Sequence, residues 1–357
     1  MERVAVIMAG GSGTRLWPLS RRDRPKQLVR LIEGKSLLRL SFERLAGLVP
    51  ASGVMVIAAE AHLDAIAAEV PELPRENLVG EPCGRDTANA VALSAAIVAA
   101  RWPDAVMGVF TADHVIRPVE RFAAAVRTGF ELAEASADTL VTFGIRATHA
   151  HTGLGYVQRG APLGPAVYAV QRFREKPDAE TAAGYVASGE YYWNSGMFAW
   201  RPATVLAQLR QRLPESHALV TEVAAGWPGA AARQMLADRY GSLTRISIDF
   251  AVMEHAPKVA VVEMPVEWHD VGSWPALVEV LGRDAAGNTI AATHAATRNA
   301  TGNLIVSEEG HLVALVGVQD LAVVHARHAT LVCRLADAQR VRELVSEIEQ
   351  RYSGRYS

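Results

Sequence analysis

Residues 9–26 of this 357-residue chain set three glycines beside a run of cations, a combination suited to gripping phosphate. The segment reads Ala9-Gly10-Gly11-Ser12-Gly13-Thr14-Arg15-Leu16, and Arg21, Arg22, Arg24, Lys26 and Arg30 follow, opposed only by Asp23. Glycine lets a backbone turn tightly and bring its N–H groups against phosphate oxygens without interference from a Cβ. Fixed cations would stabilise a bound polyphosphate and any pyrophosphate that departs from it. Pro18 and Pro25 stiffen the loop between them. A Walker loop needs GxxxxGK[ST] and a dinucleotide fingerprint needs GxGxxG; here there is neither a Lys-Ser/Thr pair nor a third glycine in register. The segment therefore reads as a phosphate site of another kind, and the missing glycine disfavours a dinucleotide-dependent oxidoreductase.

Two acids complement it. Asp113 closes the apolar run Val109-Phe110-Thr111-Ala112, and Asp270 follows Glu267-Trp268-His269 and precedes Val271-Gly272. A hard carboxylate oxygen at a strand end suits Mg²⁺ bridging phosphates. His114 and His269 adjoin these acids, but a zinc site would need denser His/Cys grouping. Glu81-Pro82-Cys83-Gly84-Arg85-Asp86-Thr87 lies between a short strand and a helix, with Asp86 or Thr87 placed to cap that helix. Glu175-Lys176-Pro177, taken alone, is a solvated turn. Tyr191, Tyr192 and Trp193 read as core or pocket wall.

The elements that must position these residues follow from periodicity. Val4–Met8, Val54–Ala58, Met107–Thr111 and Thr139–Phe143 read as strands; Leu37–Leu48, Ala61–Val70, Ala88–Ala100 and Phe122–Ala135 read as helices. This alternation predicts an α/β, doubly wound, mostly parallel Rossmann-like sheet, with ligands beyond the carboxyl ends of its strands. Extended segments at Gly155–Arg159, Ala166–Arg174 and Tyr192–Trp200 read as an extension of the same domain. After Gly287 come short strands, Thr289–Ala291, Asn303–Val306, Leu312–Leu315 and Leu321–Val324, then a helix over Ala336–Glu349. Their spacing suggests stacked turns of a small β-helix. The expected division is thus 1–286 as the chemical domain and 287–357 as a small β-rich domain with a terminal helix.

A net charge of -2 argues against a nucleic-acid binder, which needs a basic excess. Cys83 and Cys333 have no CxxC partner and fit reduced thiols. The N-terminus enters a strand without signal-peptide regions, and no apolar run reaches the roughly 18 residues that span a bilayer. A cytoplasmic protein without a membrane anchor is expected.

Gly10 to Ser20 followed by Arg24-Pro25-Lys26-Gln27 resembles the GGxGxRLxPL…PK signature of sugar-nucleotide pyrophosphorylases, and within that superfamily the chain most resembles bacterial mannose-1-phosphate guanylyltransferases. The likeness runs over roughly residues 3–333, weakly after Gly287. It implies transfer of GMP from GTP to mannose 1-phosphate, with Mg²⁺ on Asp113 and Asp270, and with Arg15 and Lys26 as catalytic cations. It implies nucleotide contacts from Gly10, Gly11, Ser12, Gly13, Thr14, Arg15, Glu81, Arg85 and Asp86. Through the family's GYG, EKP and NSG segments it implies sugar-phosphate contacts from Gly155, Glu175, Lys176 and Asn194. A pyrophosphorylase for another pair, such as UTP and glucose 1-phosphate, and a non-catalytic nucleotide-sugar-binding regulator stand as alternatives. Some relatives carry a further isomerase domain; the residues after Gly287 are too few and lack a His cluster, so one activity is expected, with the tail as a homodimer contact.

Overall fold

The computed structural model describes residues 1–11, 13–308 and 310–356. The chain divides into two compact units: Met1–Gly10, Phe42–Thr111 and Ile116–Glu267 form the first, and Gly11–Ser41, Ala112–Val115 and Trp268–Ser357 the second.

A nine-stranded sheet organises the first unit. Its strands are β1 (Arg3–Met8), β2 (Val54–Ala59), β3 (Leu78–Glu81), β4 (Val106–Thr111), β5 (Leu140–Arg146), β6 (Tyr156–Gly164), β7 (Val167–Arg174), β8 (Tyr191–Trp200) and β9 (Val259–Glu263), in the order β3-β2-β1-β4-β8-β5-β9-β7-β6. The first four neighbours run parallel, as apolar runs separated by helices require. Then β8 enters antiparallel to both β4 and β5, β9 returns parallel to β5, and β7 and β6 complete an antiparallel end. The α/β class and the single extended sheet are as expected, and the sheet is mixed. Alternation along β4 sorts its side chains: Val109 joins the core around the helix Asp86–Arg101, while Phe110 turns the other way. There it meets Phe122 and Phe130 of the helix Val119–Ala135 edge-on, with ring centroids 5.9 and 6.5 Å away. Burial of each ring contributes about 1.5–3 kcal/mol. The parallel strands β1, β3 and β4 end at Met8, Glu81 and Thr111, so the three nucleotide-site candidates all leave the carboxyl edge.

In the second unit, β10 (Thr289–Ala291), β12 (Leu304–Ser307) and β14 (Leu321–Ala326) form a parallel ladder, with β15 (Ala329–Arg334) antiparallel on its edge. Between them in sequence, β11 (His294–Arg298) and β13 (Leu312–Val316) make a second parallel pair. Two parallel ladders alternating along one chain are successive coils of a small β-helix. Asparagines lock the coils: Asn288 Oδ1 accepts from the Asn303 backbone N–H at 2.9 Å and from its Nδ2 at 3.0 Å, while Asn303 Oδ1 accepts from Leu321 N at 3.0 Å. One apolar core joins Leu304, Val306, Ala322 and Val324 of these strands to Leu16, Trp17 and Leu19 of the glycine-rich segment.

All five expected helices are present with shifted ends, and two depart furthest. The helix begun at Leu37 stops at Arg44, where tight turns take over and Gly47 adopts φ 78°. The terminal helix runs Val341–Arg351, preceded over Leu335–Arg340 by a 3₁₀ segment that buries Ala338 in the β-helix core. Apolar periodicity alone does not separate 3₁₀ from α.

Candidate functional site

In the second unit the glycine-rich segment opens with Gly11 at φ 99° and continues through Gly13 at φ 60°. Ser12 lies outside the described residues. A Cβ on Gly13 would come within 2.6 Å of Lys26 Cβ and 2.8 Å of Ser20 Oγ, and Ser20 Oγ donates to the Gly13 carbonyl at 2.8 Å. The glycine is thus needed for the approach of Lys26, beyond any approach of phosphate. Thr14–Leu16 makes a 3₁₀ turn that buries Leu16 and leaves Arg15 exposed. Pro25 starts a second such turn from Lys26 to Leu28.

Lys26 Nζ stands 2.5 Å from Asp113 Oδ2. Asp113 precedes the short strand His114–Arg117, which pairs with Glu267–Asp270, and the Asp113 carbonyl accepts from Val271 N at 3.1 Å. That pairing brings Asp270 to Asp113: oxygen and nitrogen ligand atoms of Asp113, His114 and Asp270 lie within 4.8 Å of one another. Burial works against the Lys26 ammonium, but the fields of Asp113 and Asp270 overcome it and hold Lys26 above the ordinary lysine range, with Arg15 opposing. Burial likewise disfavours the Asp113 carboxylate, and Lys26, then His114, hold it below the usual range. Trp268 Nε1 donates to His114 Nδ1 at 3.1 Å, which directs the other ring nitrogen, Nε2, to Asp113 Oδ1 at 3.7 Å. A hard divalent cation fits the two acids, and His114, which sequence reasoning set aside, supports them by turning its protonated Nε2 toward Asp113. The signal for it was its adjacency to Asp113.

The remaining basic residues are not a free phosphate-facing cluster. Arg21 pairs with Asp23 at 3.1 Å, Arg22 with Glu349 and Arg24 with Glu308. The expectation of one cationic run opposed only by Asp23 is corrected, because Glu349 and Glu308 arrive from the far end of the chain.

The first unit carries the other two groups of candidates. Gly10 follows β1, with Glu81 Oε2 3.8 Å from where its Cβ would be. Glu81 is buried and its Oε1 accepts from the Tyr240 hydroxyl at 2.6 Å; burial pushes its carboxyl up, and Tyr240 partly offsets that. Arg85 donates to the Gly241 carbonyl. Asp86 is exposed, at φ 65°, with Oδ1 accepting from Thr87 N at 3.0 Å. Neither Asp86 nor Thr87 caps the helix: the cap position is Arg85, and Thr87 Oγ1 instead accepts from Ile248 N at 2.9 Å.

Gly155, Glu175, Lys176 and Asn194 come together. A Cβ on Gly155 would lie 2.3 Å from Glu175 Oε2, and the Gly155 carbonyl accepts from Asn194 N at 2.8 Å. Lys176 is exposed and its Nζ lies 2.5 Å from Glu175 Oε1. Three neighbours escaped sequence reasoning. Thr142 Oγ1 is 2.9 Å from Asn194 Oδ1, Asp249 Oδ1 accepts from Asn194 Nδ2 at 2.8 Å, and Glu254 Oε1 accepts from Glu175 N at 2.9 Å. Asp249 and Glu254 lie in and just after a π-helical turn, Asp249–Met253, and nothing local in Ser247-Ile248-Asp249-Phe250 marks a site.

The first unit's parallel-edged α/β sheet, and the second unit's lysine packed on a glycine with two acids beside it, are the parts of a phosphate-handling transferase. Residues 4–286 match the family model described as nucleotidyl transferase, and residues 299–348 match that of the MannoseP isomerase/GMP-like beta-helix domain. A mannose-1-phosphate guanylyltransferase of Klebsiella pneumoniae is 38% identical over 98% of this chain and 75% of its own length. The xanthan biosynthesis protein XanB of Xanthomonas campestris is 40% identical over 96% of this chain and 73% of its own. A crystal structure from Thermus thermophilus, described as a mannose-1-phosphate geranyltransferase, superposes with a TM-score of 0.88 at 36% identity, covering 98% of this chain and all of that one. The chain belongs to the mannose-1-phosphate guanylyltransferase family of nucleotidyltransferases.

Proposed function

We propose that the chain transfers GMP from GTP to mannose 1-phosphate, giving GDP-mannose and pyrophosphate. The observation that carries this reading is the Lys26–Asp113 pair with Asp270 beside it; the names of the relatives supply the nucleotide and the sugar. A phosphate monoester has its second pKa near 6 and is already largely dianionic at neutral pH. Its oxygen attacks the α-phosphorus of GTP without a general base, so the protein's work is alignment and charge stabilisation. Asp113 and Asp270 would hold Mg²⁺, which when bound neutralises charge on the phosphates. Lys26 and Arg15 stabilise the departing pyrophosphate, with Gly10 to Thr14 supplying backbone N–H groups. Glu81, Arg85 and Asp86 read guanine. Glu175 and Asn194 bond the sugar's hydroxyls against Gly155, and Lys176 exchanges Glu175 for the sugar's phosphate.

We assign these steps to residues 1–286 and a supporting role to 287–357, a division supported by the reach of the two family models. Leu312, Val316 and Val332 of the β-helix are 58, 69 and 60% exposed, which supports a homodimer contact there, tested by sedimentation with each changed to Ser. Among the described residues no helix is long and apolar enough to cross a membrane, which supports the expected cytoplasmic location. The deciding experiment incubates the protein with each of four nucleoside triphosphates and several sugar 1-phosphates and follows pyrophosphate release. Fastest turnover with GTP and mannose 1-phosphate is expected; a preference for UTP and glucose 1-phosphate, or no release with any pair, would overturn the assignment.

A further inference from the structure

Asn194 is 7% exposed, and both ends of its amide have partners. An amide presents an acceptor at one end and donors at the other, so which end faces a sugar decides which hydroxyl pattern it accepts. Thr142 cannot set that orientation, because a hydroxyl both gives and takes; Thr142 Oγ1 has the Met197 carbonyl at 3.2 Å as a second place for its proton. Asp249 can. An ionised carboxylate only accepts, so it demands the Nδ2 end of Asn194 at 2.8 Å and turns Oδ1 toward Thr142. We infer that Asp249 is a positioning residue for sugar recognition: it fixes the Asn194 amide, leaving one N–H and one Oδ1 lone pair for the hydroxyls of the sugar 1-phosphate. This rests on the reading of Gly155, Glu175 and Asn194 as the sugar site.

The surroundings make that role sensitive to proton concentration. Burial first, and the Glu175 carboxylate second, push the Asp249 carboxyl up to about 7, against the pull of Asn194 and Lys176. The charged groups on the elements around it are Glu175 and Lys176 after β7, Glu254 and His255 beyond its own turn, Arg210 and Arg212 on the helix Pro202–Arg212, the latter donating to the His255 carbonyl at 3.0 Å, and Asp86 and Arg101 on Asp86–Arg101. When Asp249 takes a proton it no longer requires the Nδ2 end, and the amide is free to reverse. Affinity for mannose 1-phosphate therefore rises as pH passes upward through about 7.

The test is steady-state kinetics of the full chain with mannose 1-phosphate and GTP varied separately, between about pH 6 and 8. Asp249→Asn keeps the shape and loses the one-way acceptor. It is expected to raise KM for mannose 1-phosphate at least ~10-fold while leaving KM for GTP and kcat within about 2-fold, the pattern of a lost binding contact. It also flattens the pH dependence of KM beyond the substrate's own titration, which is common to both proteins. Asp249→Glu, which keeps the carboxylate, restores part of the affinity, and Thr142→Ala has a smaller effect than Asp249→Asn. Equal rises in both KM values, or a pH limb that persists in Asp249→Asn, would overturn the inference. A wild-type protein that ignores mannose 1-phosphate fails the functional reading instead, whereas one that uses it as well as Asp249→Asn does fails this inference alone.

Discussion

Burial would push Lys26 and Asp113 toward their neutral forms, and each stays charged because the other stands 2.5 Å away. Lys26→Met leaves Asp113 facing Asp270 with no lysine between their charges. Turnover is expected to fall at least ~100-fold, the usual loss for one preorganised electrostatic contact, and Asp113→Ala to do the same; near-normal kcat in either folded variant would count against both roles. Asp249 is linked to stability in the opposite sense. An acid whose folded pKa is raised holds its proton in the folded state while the unfolded chain, titrating near 4, has already released it. Its contribution to stability is therefore most favourable below about pH 4, falls as pH rises toward 7, and stays low above it. Asp249→Asn should melt higher than the parent at about pH 8 and show no such gain near pH 4, a comparison that thermal unfolding at the two values decides.

Two glycines with crowded surroundings separate by what crowds them. At Gly13 the obstacle is Lys26 Cβ, close to its backbone, and φ is 60°; at Gly155 it is the far end of the flexible Glu175 side chain. Gly13→Ala is expected to cost about 1 kcal/mol or more from its left-handed backbone alone, and to lower turnover by displacing Lys26. Gly155→Ala should melt within a degree or two of the parent yet raise KM for the sugar phosphate, since Glu175 can swing aside. A Gly13→Ala protein with unchanged melting and kcat would sink that account. At this scale the sequence was informative where a local pattern decides the element: Val4–Met8 and Met107–Thr111 are short, continuous apolar runs and end where predicted. It was silent where tertiary contact decides. The antiparallel entry of Tyr191–Trp200 between two parallel strands, and the 3₁₀ turn over Leu335–Arg340, leave no periodic mark.

For the whole molecule, the candidate site residues that the sequence offered are those in contiguous motifs: Gly13, Lys26, Asp113, Glu175 and Asn194 all lie in such runs. Asp249, Thr142 and Trp268 were not offered, since each acts by touching a residue distant in sequence, and the same distance hid the capture of Arg22 and Arg24 by Glu349 and Glu308. The β-helix is more than an appendage, because its Leu304, Val306, Ala322 and Val324 share a core with Leu16, Trp17 and Leu19. Asn303→Ala, which orphans the Leu321 N–H and one bond to Asn288, should destabilise by about 1–3 kcal/mol, read as a lower urea midpoint. Removing residues 287–357 should abolish turnover by exposing that shared core; a soluble 1–286 fragment with full activity would refute it. The second unit is also stitched from three distant stretches of chain. Lys26 leaves the ribosome early, but the strands that pack its loop, and Asp270 itself, belong to residues 268–357 of the same unit. A unit assembled from such distant segments closes only after long loops are drawn together, so its folding should be slower than that of a unit built from local contacts. Refolding followed by Trp fluorescence should then show a slow phase that Asn303→Ala in the β-helix slows further, while the first unit's sheet forms at an unchanged rate.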